Sequence, residues 1–230
     1  MAEEPLGRAG FAATIVVSRE TLERLGVYVD LLGRWQRAIN LVGAATLADP
    51  WRRHILDSAQ LMAHLPPGAR SVVDLGSGAG FPGMVLAILG APGVVLIEGD
   101  RRKVEFLRQV ARATGTAVGL QAERIERLPD MPAGVVTARA LAPLPRLLPL
   151  AERFLAADSV CLFLKARGVA DELTAARESW HMVAETFPSL SAPSGVVLQL
   201  RGVRRARDRQ PQAAAARPRD RDREPEGRRR

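Results

Sequence analysis

The stretch VVDLGSGAGFPG, from Val72 to Gly83, decides the fold because it matches two glycine patterns at once. Read from Gly76, it is G-x-G-x-G preceded by an acidic residue; read from Gly78, it is G-x-G-x-x-G, the dinucleotide-binding fingerprint. Both patterns suit the first strand-to-helix turn of an open parallel sheet, where the backbone approaches a ligand closely. The stretch therefore predicts an α/β fold with a ligand at this turn, and a structural turn without a ligand is the alternative.

The chain after this stretch alternates short apolar runs with helical segments. SVVDL, GVVLIE, AVGLQA, GVVTA and SVCLFL predict five strands, and their continuous hydrophobicity indicates a parallel sheet buried between helices. The helices are predicted in PGMVLAIL, RRKVEFLRQVARAT and PRLLPLAERFLA. The last two runs, HMVAETFP and GVVLQLRG, are separated by too few residues for a right-handed crossover, so they predict an antiparallel pair. Such a Rossmann-like, seven-stranded, mostly parallel sheet resembles the class I S-adenosylmethionine-dependent methyltransferase fold.

Two helical segments precede the sheet. SRETLERLGVYVDLLGRWQRAIN has apolar residues at three- and four-residue steps after a capping Ser18, and DPWRRHILDSAQLMAHLP begins with Asp49 as N-cap and Pro50 at the first helical position. We therefore predict an N-terminal helical extension over 1–68 and a methyltransferase domain over 69–205. The remaining segment, 206–230, carries nine arginines against five acids without apolar residues to pack, which predicts a disordered arginine-rich tail.

Composition favours a soluble cytoplasmic protein. The 230 residues carry a formal net charge of +8, and no apolar run approaches the ~20 residues of a membrane span. The start lacks the pattern of a secretion signal. A single cysteine, Cys161 in the run VCLFL, excludes an intrachain disulfide and is expected to be a buried thiol.

Charge separates the two cofactors that the glycine turn could hold. A dinucleotide presents a pyrophosphate, which a nearby carboxylate would repel, whereas S-adenosylmethionine presents a sulfonium and an ammonium group. Asp74 lies directly before the turn, so we expect S-adenosylmethionine. Glu98, at the end of the second strand, is suited to the ribose hydroxyls of either cofactor; an exposed strand-end charge is the alternative.

The end of the fourth strand restricts the methyl acceptor. TARALAPL, Thr137 to Leu144, lacks the Asn/Asp-Pro-Pro-aromatic tetrad of methyltransferases that act on exocyclic amines, and the only thiol lies within a strand. What remains is an acceptor that is already nucleophilic. Guanine N7 is one such acceptor, since its methylation needs no general base and depends mainly on positioning.

Six motifs make the resemblance specific. RWQRAINL, RRHILDS, DLGSGAGFPG, KVEFLRQV, TARALAPL and FLKARG occur in the order and spacing of the glucose-inhibited division protein B family. These are the small-subunit ribosomal RNA methyltransferases G, which methylate guanine N7 in the 530 loop of 16S rRNA. The resemblance covers about residues 20 to 203. It implies S-adenosylmethionine as cofactor and 16S rRNA or the 30S subunit as partner. We also expect a monomer that needs neither membrane nor metal.

The resemblance also implies the site. Cofactor contacts are expected from the turn, from the ribose acid, from the loop after the third strand and from the arginine that ends the fourth strand: Gly76, Gly78, Phe81, Glu98, Ile125, Glu126 and Arg139. No residue is expected to act as a catalytic acid or base; Arg139 and Lys165 are candidates for positioning the substrate, the latter through an RNA phosphate or the guanine edge. A surface salt bridge for Arg139 and a solvated cation for Lys165 are the alternatives.

Other observations leave choices open. His54 and Asp57 share a helical face, which we interpret as a brace between the extension and the sheet rather than as catalytic groups. Asn40-Leu41 is followed by Val42 where the family usually has threonine, so a hydroxyl there is absent. A small-molecule methyltransferase, a dinucleotide-dependent oxidoreductase and a non-enzymatic RNA-binding assembly factor stay alternatives.

Overall fold

A seven-stranded sheet forms the centre of the computed structural model, which describes residues 4–206. The strand order is β3-β2-β1-β4-β5-β7-β6; β1 to β5 run parallel, and β7 is antiparallel to both β5 and β6. This confirms the predicted fold class, including the reversed final pair. The strands are β1 Val72–Leu75, β2 Val94–Ile97, β3 Gly119–Gln121, β4 Ala133–Arg139, β5 Leu155–Lys165, β6 Trp180–Pro188 and β7 Val196–Arg205.

The observed helices match the predicted ones where the sequence has a strong apolar stripe. Ser18 caps the long helix of the extension as predicted, its hydroxyl accepting from the Thr21 amide at 3.0 Å. Two helices without such a stripe, α1 and α7, were not predicted, because each buries only one or two side chains. The α-helices are α1 Gly7–Thr14, α2 Arg19–Trp35, α3 Asp57–Ala59, α4 Gly83–Ile88, α5 Arg101–Thr114, α6 Leu144–Ala151 and α7 Val169–Arg177.

The segment predicted as the second helix of the extension is not a single regular helix. It forms a π-helical turn over Trp51–Leu56, the short helix α3, and a 3-10 turn over Gln60–His64. Asp49 still caps it as expected, because its Oδ1 accepts from the Arg52 amide at 3.1 Å. The π-helical turn lies against the cavity described below, and such turns are frequent at functional sites.

Two layers of buried side chains cover the two faces of the sheet. Leu96 and Val135 face the layer that contains α1, α2 and α5, whereas Ile97 and Val136 face the layer that contains α6 and α7. Cys161 belongs to the second layer, and its burial raises the pKa of the thiol to about 12. The expected burial on both faces fails for β3, which is an edge strand and partly exposed.

Helix α2 packs directly on the glycine turn. The Tyr28 ring is fully buried and stacks on the Phe81 ring, with centroids 5.2 Å apart. The Tyr28 hydroxyl donates to the Ala79 carbonyl. A Cβ atom built on Gly80 would lie 2.6 Å from the Tyr28 hydroxyl and 2.9 Å from both Leu107 Cδ2 and Met84 Cβ. The extension and the glycine turn therefore share one core, and the turn has no room for a side chain at Gly80.

Residues 1–3 and 207–230 lie outside the described residues, so the predicted disordered tail stays a prediction, as does the division at residue 68. None of the helices within residues 4–206 has the length and apolar character needed to span a lipid bilayer.

We predict that Gly80→Ala destabilises the protein more than Gly90→Ala. Both glycines have φ of +94°, but a Cβ atom on Gly90 would meet nothing within 4 Å. Gly90→Ala should cost about 1 kcal/mol for the left-handed backbone, and Gly80→Ala a further 1–3 kcal/mol for overpacking. Urea unfolding measures both; equal losses would contradict the packing of α2 on the turn.

Candidate functional site

A cavity of about 1120 Å³ opens where β1, β2, β4 and β5 end. In an open α/β sheet, this carboxyl edge is where ligands bind. The residues predicted for the site come from five separate parts of the chain, and all of them line this one cavity: Gly76, Gly78, Phe81, Glu98, Ile125, Glu126, Arg139 and Lys165.

The turn after β1 is held by a hydrogen bond to the end of β2 and by another within the turn. The Ser77 amide donates to the Ile97 carbonyl at 2.9 Å, and the Gly80 amide donates to the Ser77 carbonyl at 2.7 Å. Gly76 has φ of +61°, and a Cβ atom there would lie 2.6 Å from Leu141 Cδ1. Glycine is favoured at position 76 mainly by this left-handed backbone, since the Leu141 side chain could shift away from a Cβ atom.

Glu98 connects the turn to the start of α5. Its Oε2 accepts from the Gly78 amide at 2.8 Å, and its Oε1 accepts from the Asp100 amide at 2.7 Å. Each carboxylate oxygen has a second lone pair, so this carboxylate can hold the turn and still accept from two hydroxyl groups. That arrangement suits the ribose contact predicted for Glu98.

Asp74 does not line the cavity, which corrects the argument made from its position in the sequence. The side chain is fully buried beneath the turn, where Oδ1 accepts from the Thr137 hydroxyl at 2.7 Å. Its Oδ2 has no hydrogen-bond partner among residues 4–206, and burial raises the pKa of the carboxyl group to about 6. Its side chain points toward Gly83 at the start of α4, because strand alternation turns it to the face of the sheet that α4 covers.

Arg139 is held by the π-helical turn of the extension. Its Nη1 donates to Asp57 Oδ2 at 3.2 Å and to the Arg53 carbonyl at 3.0 Å, while Nη2 lies 3.0 Å from His54 Nδ1. The guanidinium carbon also lies 4.8 Å from the centroid of the Phe81 ring. The brace inferred for His54 and Asp57 therefore has a specific target, the arginine at the end of β4.

His54 accepts from Arg139 as a neutral ring. Burial, and then the positive charges of Arg139 and Arg53, lower the pKa of His54 to about 3. On the other side of the ring, Nε2 lies 2.8 Å from the Thr46 hydroxyl, which itself donates to the Gly43 carbonyl at 2.7 Å. Nε2 therefore carries the proton and Nδ1 accepts from Arg139. The ring also stacks on Phe81, with centroids 4.8 Å apart.

Lys165 is not a solvated cation. Its Nζ donates to Glu172 Oε2 at 2.7 Å and to the Ala142 carbonyl at 2.8 Å, and the side chain is only 10% exposed. Glu172 also accepts from the Leu144 amide at 2.7 Å. Lys165 thus joins β5, α6 and α7 at the cavity wall, and its contact with an RNA phosphate stays a prediction.

Several residues of the cavity wall were not predicted from the sequence. Ser191 and its neighbours between β6 and β7 reach the cavity, as does Glu172. Nothing in the local pattern indicates these positions, since the Ser191 contact with Asp57 joins residues 134 apart in the chain.

Replacement of His54 should change how stability depends on pH. The unfolded chain binds a proton at His54 below pH 6.5, whereas the folded protein does so only near pH 3. The contribution of this group to stability is therefore complete above pH 6.5 and is lost as the pH falls toward 3. As the pH falls from 6.5 to 4.5, the titration of His54 should lower the free energy of unfolding of the wild type by up to about 2.5 kcal/mol. The His54→Gln variant should not show this part of the loss. Urea unfolding at a series of pH values measures this difference. If the free energy of unfolding changes with pH equally in the two proteins, the buried neutral ring is contradicted.

Comparison with known proteins agrees with this geometry. Residues 21–203 match the family model GidB, described as rRNA small subunit methyltransferase G. The chain is 59% identical over 190 residues to ribosomal RNA small subunit methyltransferase G of Rhodospirillum centenum, covering 83% of this chain and 88% of that protein. It is 56% identical over 205 residues to the protein of the same name from Paramagnetospirillum magneticum, covering 89% and 97%.

A solved structure supports the fold alone. The TehB-like SAM-dependent methyltransferase from Corynebacterium glutamicum superposes with a TM-score of 0.52 at 16% identity, over 77% of this chain and 99% of that one. The comparisons confirm the predicted fold class, the methyltransferase class of enzyme and S-adenosylmethionine as its cofactor. With its family model matched over residues 21–203 and relatives more than half identical, the chain belongs to the GidB family of small-subunit rRNA methyltransferases G.

Proposed function

We propose that this chain transfers a methyl group from S-adenosylmethionine to N7 of a guanine in the 530 loop of 16S rRNA. The observation that carries the proposal is the family match over residues 21–203, which spans the residues that line the cavity from the extension to the β6–β7 turn. We further propose that the enzyme acts in the cytoplasm as a monomer, on 16S rRNA or the 30S subunit.

The residues on one side of the cavity fit the cofactor. Glu98 offers two carboxylate oxygens to ribose hydroxyls, and the buried side chain of Ile125 gives an apolar wall for adenine. Gly76 and Gly78 let the backbone approach without a Cβ atom. At about 1120 Å³, the cavity exceeds the 300–1,000 Å³ typical of a single small ligand, which leaves room for a base beside the cofactor.

The chemistry asks the protein for position rather than for proton transfer. When bound, S-adenosylmethionine supplies an electrophilic methyl group on a sulfonium sulfur. In the transfer, the N7 lone pair would form the new bond as the carbon–sulfur bond broke, so the positive charge would pass to the base and no proton would be lost. Arg139 and the residues around it are therefore assigned to orientation, which by itself contributes several kcal/mol to such a transfer.

Unpaired cations around the cavity suit an RNA backbone. We use the name cationic rim for Arg53, Lys103, Arg124, Arg146 and Arg167, which line the cavity. Within residues 4–206, none of these side chains makes a hydrogen bond or an ion pair. All except Lys103 are exposed. Since Lys165 is occupied by Glu172, the rim is better placed than Lys165 to contact phosphates.

Methyl transfer from labelled S-adenosylmethionine to free 16S rRNA and to 30S subunits from cells that lack the protein tests the function. We expect the full chain to restore N7-methylguanosine at one position in the 530 loop. Retention of that mark in cells without the protein would refute the assignment. Turnover of a small molecule without RNA would support a different methyltransferase, and full cellular function of a Gly76→Leu variant would support a non-enzymatic role.

The double variant Arg146→Gln/Arg167→Gln should weaken RNA binding and flatten its dependence on salt. Each lost phosphate contact removes about 0.7 from the slope of log K against log salt for a single strand, so a decrease of about 1.4 is expected. The matched control is Arg177→Gln/Arg201→Gln, which removes two exposed arginines outside the cavity. Equal decreases in the two double variants would show general charge attraction rather than a rim.

A further inference from the structure

We propose that Asp57 is a positioning residue that holds Arg139 and the β6–β7 turn in place around the cavity. The inference rests on the proposed function, because Arg139 is a cofactor- or substrate-facing residue only in a methyltransferase of this kind. Asp57 belongs to the extension, at the start of α3, and its carboxylate contacts two segments far away in the chain. We call the contacts of Asp57 with Arg139 and Ser191 the Asp57 clasp.

The two oxygens of Asp57 serve different segments. Oδ2 accepts from Arg139 Nη1 at 3.2 Å, across 82 residues of sequence. Oδ1 accepts from the Ser191 hydroxyl at 2.5 Å, across 134 residues, and from Gln60 Nε2 at 3.3 Å. Asp57, Arg139 and Ser191 all line the cavity. One carboxylate therefore fixes the wall of the cavity on two sides.

The charge of Asp57 matters because the ion pair is mostly shielded from water. The side chain of Asp57 is 19% exposed and that of Arg139 is 18% exposed. When one partner of such a pair is removed, the other is left charged and poorly solvated, so it moves toward water or toward another acceptor. Asparagine keeps the size of Asp57 but loses this charge, which makes Asp57→Asn the informative variant.

Asp57 and the π-helical turn before it together decide which donors of Arg139 stay available. A guanidinium has five N–H groups. Asp57 Oδ2, the Arg53 carbonyl and His54 Nδ1 use three of them, and all three acceptors lie on the π-helical turn or directly after it. The Nε–H and one N–H of Nη2 have no other partner within residues 4–206. Orientation by the extension thus leaves a defined pair of donors for a ligand.

Ser191 ties the β6–β7 turn to the same carboxylate, but that turn has a second support. Gln60 Oε1 accepts from the Leu190 amide at 2.8 Å, and Gln60 Nε2 donates to the Ser189 hydroxyl at 3.2 Å. Ser191→Ala therefore removes only one of several contacts to the turn, whereas Asp57→Asn removes the charge that pairs with Arg139 and leaves one acceptor oxygen for the two sides of the clasp. The effect of Ser191→Ala should be the smaller one.

A double-mutant cycle between Asp57→Asn and Arg139→Gln tests the clasp. The primary readout is the Kd of S-adenosylmethionine by calorimetry, and the second is the single-turnover rate of methyl transfer to 16S rRNA. Each single variant should weaken one or both by about 10- to 100-fold, the size expected when a binding group is misplaced by about 1 Å. In the Arg139→Gln background, Asp57→Asn should add less than about twofold, because no arginine remains to be positioned.

The control is Asp49→Asn. Asp49 is an acid that directly precedes the same segment, and its side chain is 17% exposed. It pairs with Arg52 at 2.9 Å, accepts from the Leu6 amide, and does not line the cavity. Its Kd and transfer rate should match the wild type even if its free energy of unfolding falls, and urea unfolding of every variant provides the correction for the folded fraction.

Three results would overturn the proposal. The first is a double variant whose change in Kd or transfer rate is the product of the two single changes. The second is an Asp57→Asn variant whose loss is explained by its unfolded fraction, and the third is an Arg139→Gln variant with the Kd and rate of the wild type. Failure of the proposed function is separate from these. It would appear as a wild type that binds S-adenosylmethionine but does not methylate 16S rRNA, and the cycle would then be read from the Kd alone.

Discussion

The contact between Tyr28 and the glycine turn is the interaction on which the arrangement of the site depends. A buried hydroxyl needs a hydrogen-bond partner, and here the partner is the Ala79 carbonyl in the middle of the turn. Burial raises the pKa of Tyr28 well above its usual range, so the hydroxyl stays a donor. The contact leaves no space at Gly80 and places the Phe81 ring between the core and the cavity. The turn is therefore positioned by helix α2 as well as by β1.

This dependence gives the helical extension a part in the site. The same layer that holds Tyr28 carries the π-helical turn. The Arg53 carbonyl and His54 in this turn, with Asp57 directly after it, accept three of the five N–H groups of Arg139. Phe81 connects the two supports, since it stacks on both Tyr28 and His54. The glycine turn gives one wall of the cavity and Arg139 gives another, and both rest on the extension. A deletion of the extension would remove the supports of the site rather than an independent appendage.

Local patterns were sufficient to predict the sheet and its reversed last pair, whereas most of the residues expected at the cavity came from the family resemblance. Those residues meet because strand ends in a parallel sheet converge at one edge whatever their separation in sequence. They were insufficient where a side chain has a choice of partner. Lys165 was placed at the cavity correctly, yet its pairing with Glu172 depends on how α7 packs, and α7 has too weak an apolar stripe to predict. The irregular segment 51–64 was predicted as one helix because its capping Asp49 and Pro50 are ordinary start signals. The β6–β7 turn has no local signal for its contact with Asp57.

The choice of cofactor was right, but the position of Asp74 in the sequence was not a valid reason for it. Asp74 is sealed beneath the turn, and burial holds its pKa near 6, so its charge is a poor guide to what the cavity binds. Glu98 lines the cavity and already accepts from the Gly78 amide, one of the donors that a pyrophosphate would need. An acid at this position suits the ribose hydroxyls of a dinucleotide as well as those of S-adenosylmethionine, so Glu98 does not separate the two cofactors. The ambiguity between the two glycine patterns is thus resolved by the family match over residues 21–203 and not by the acids around the turn.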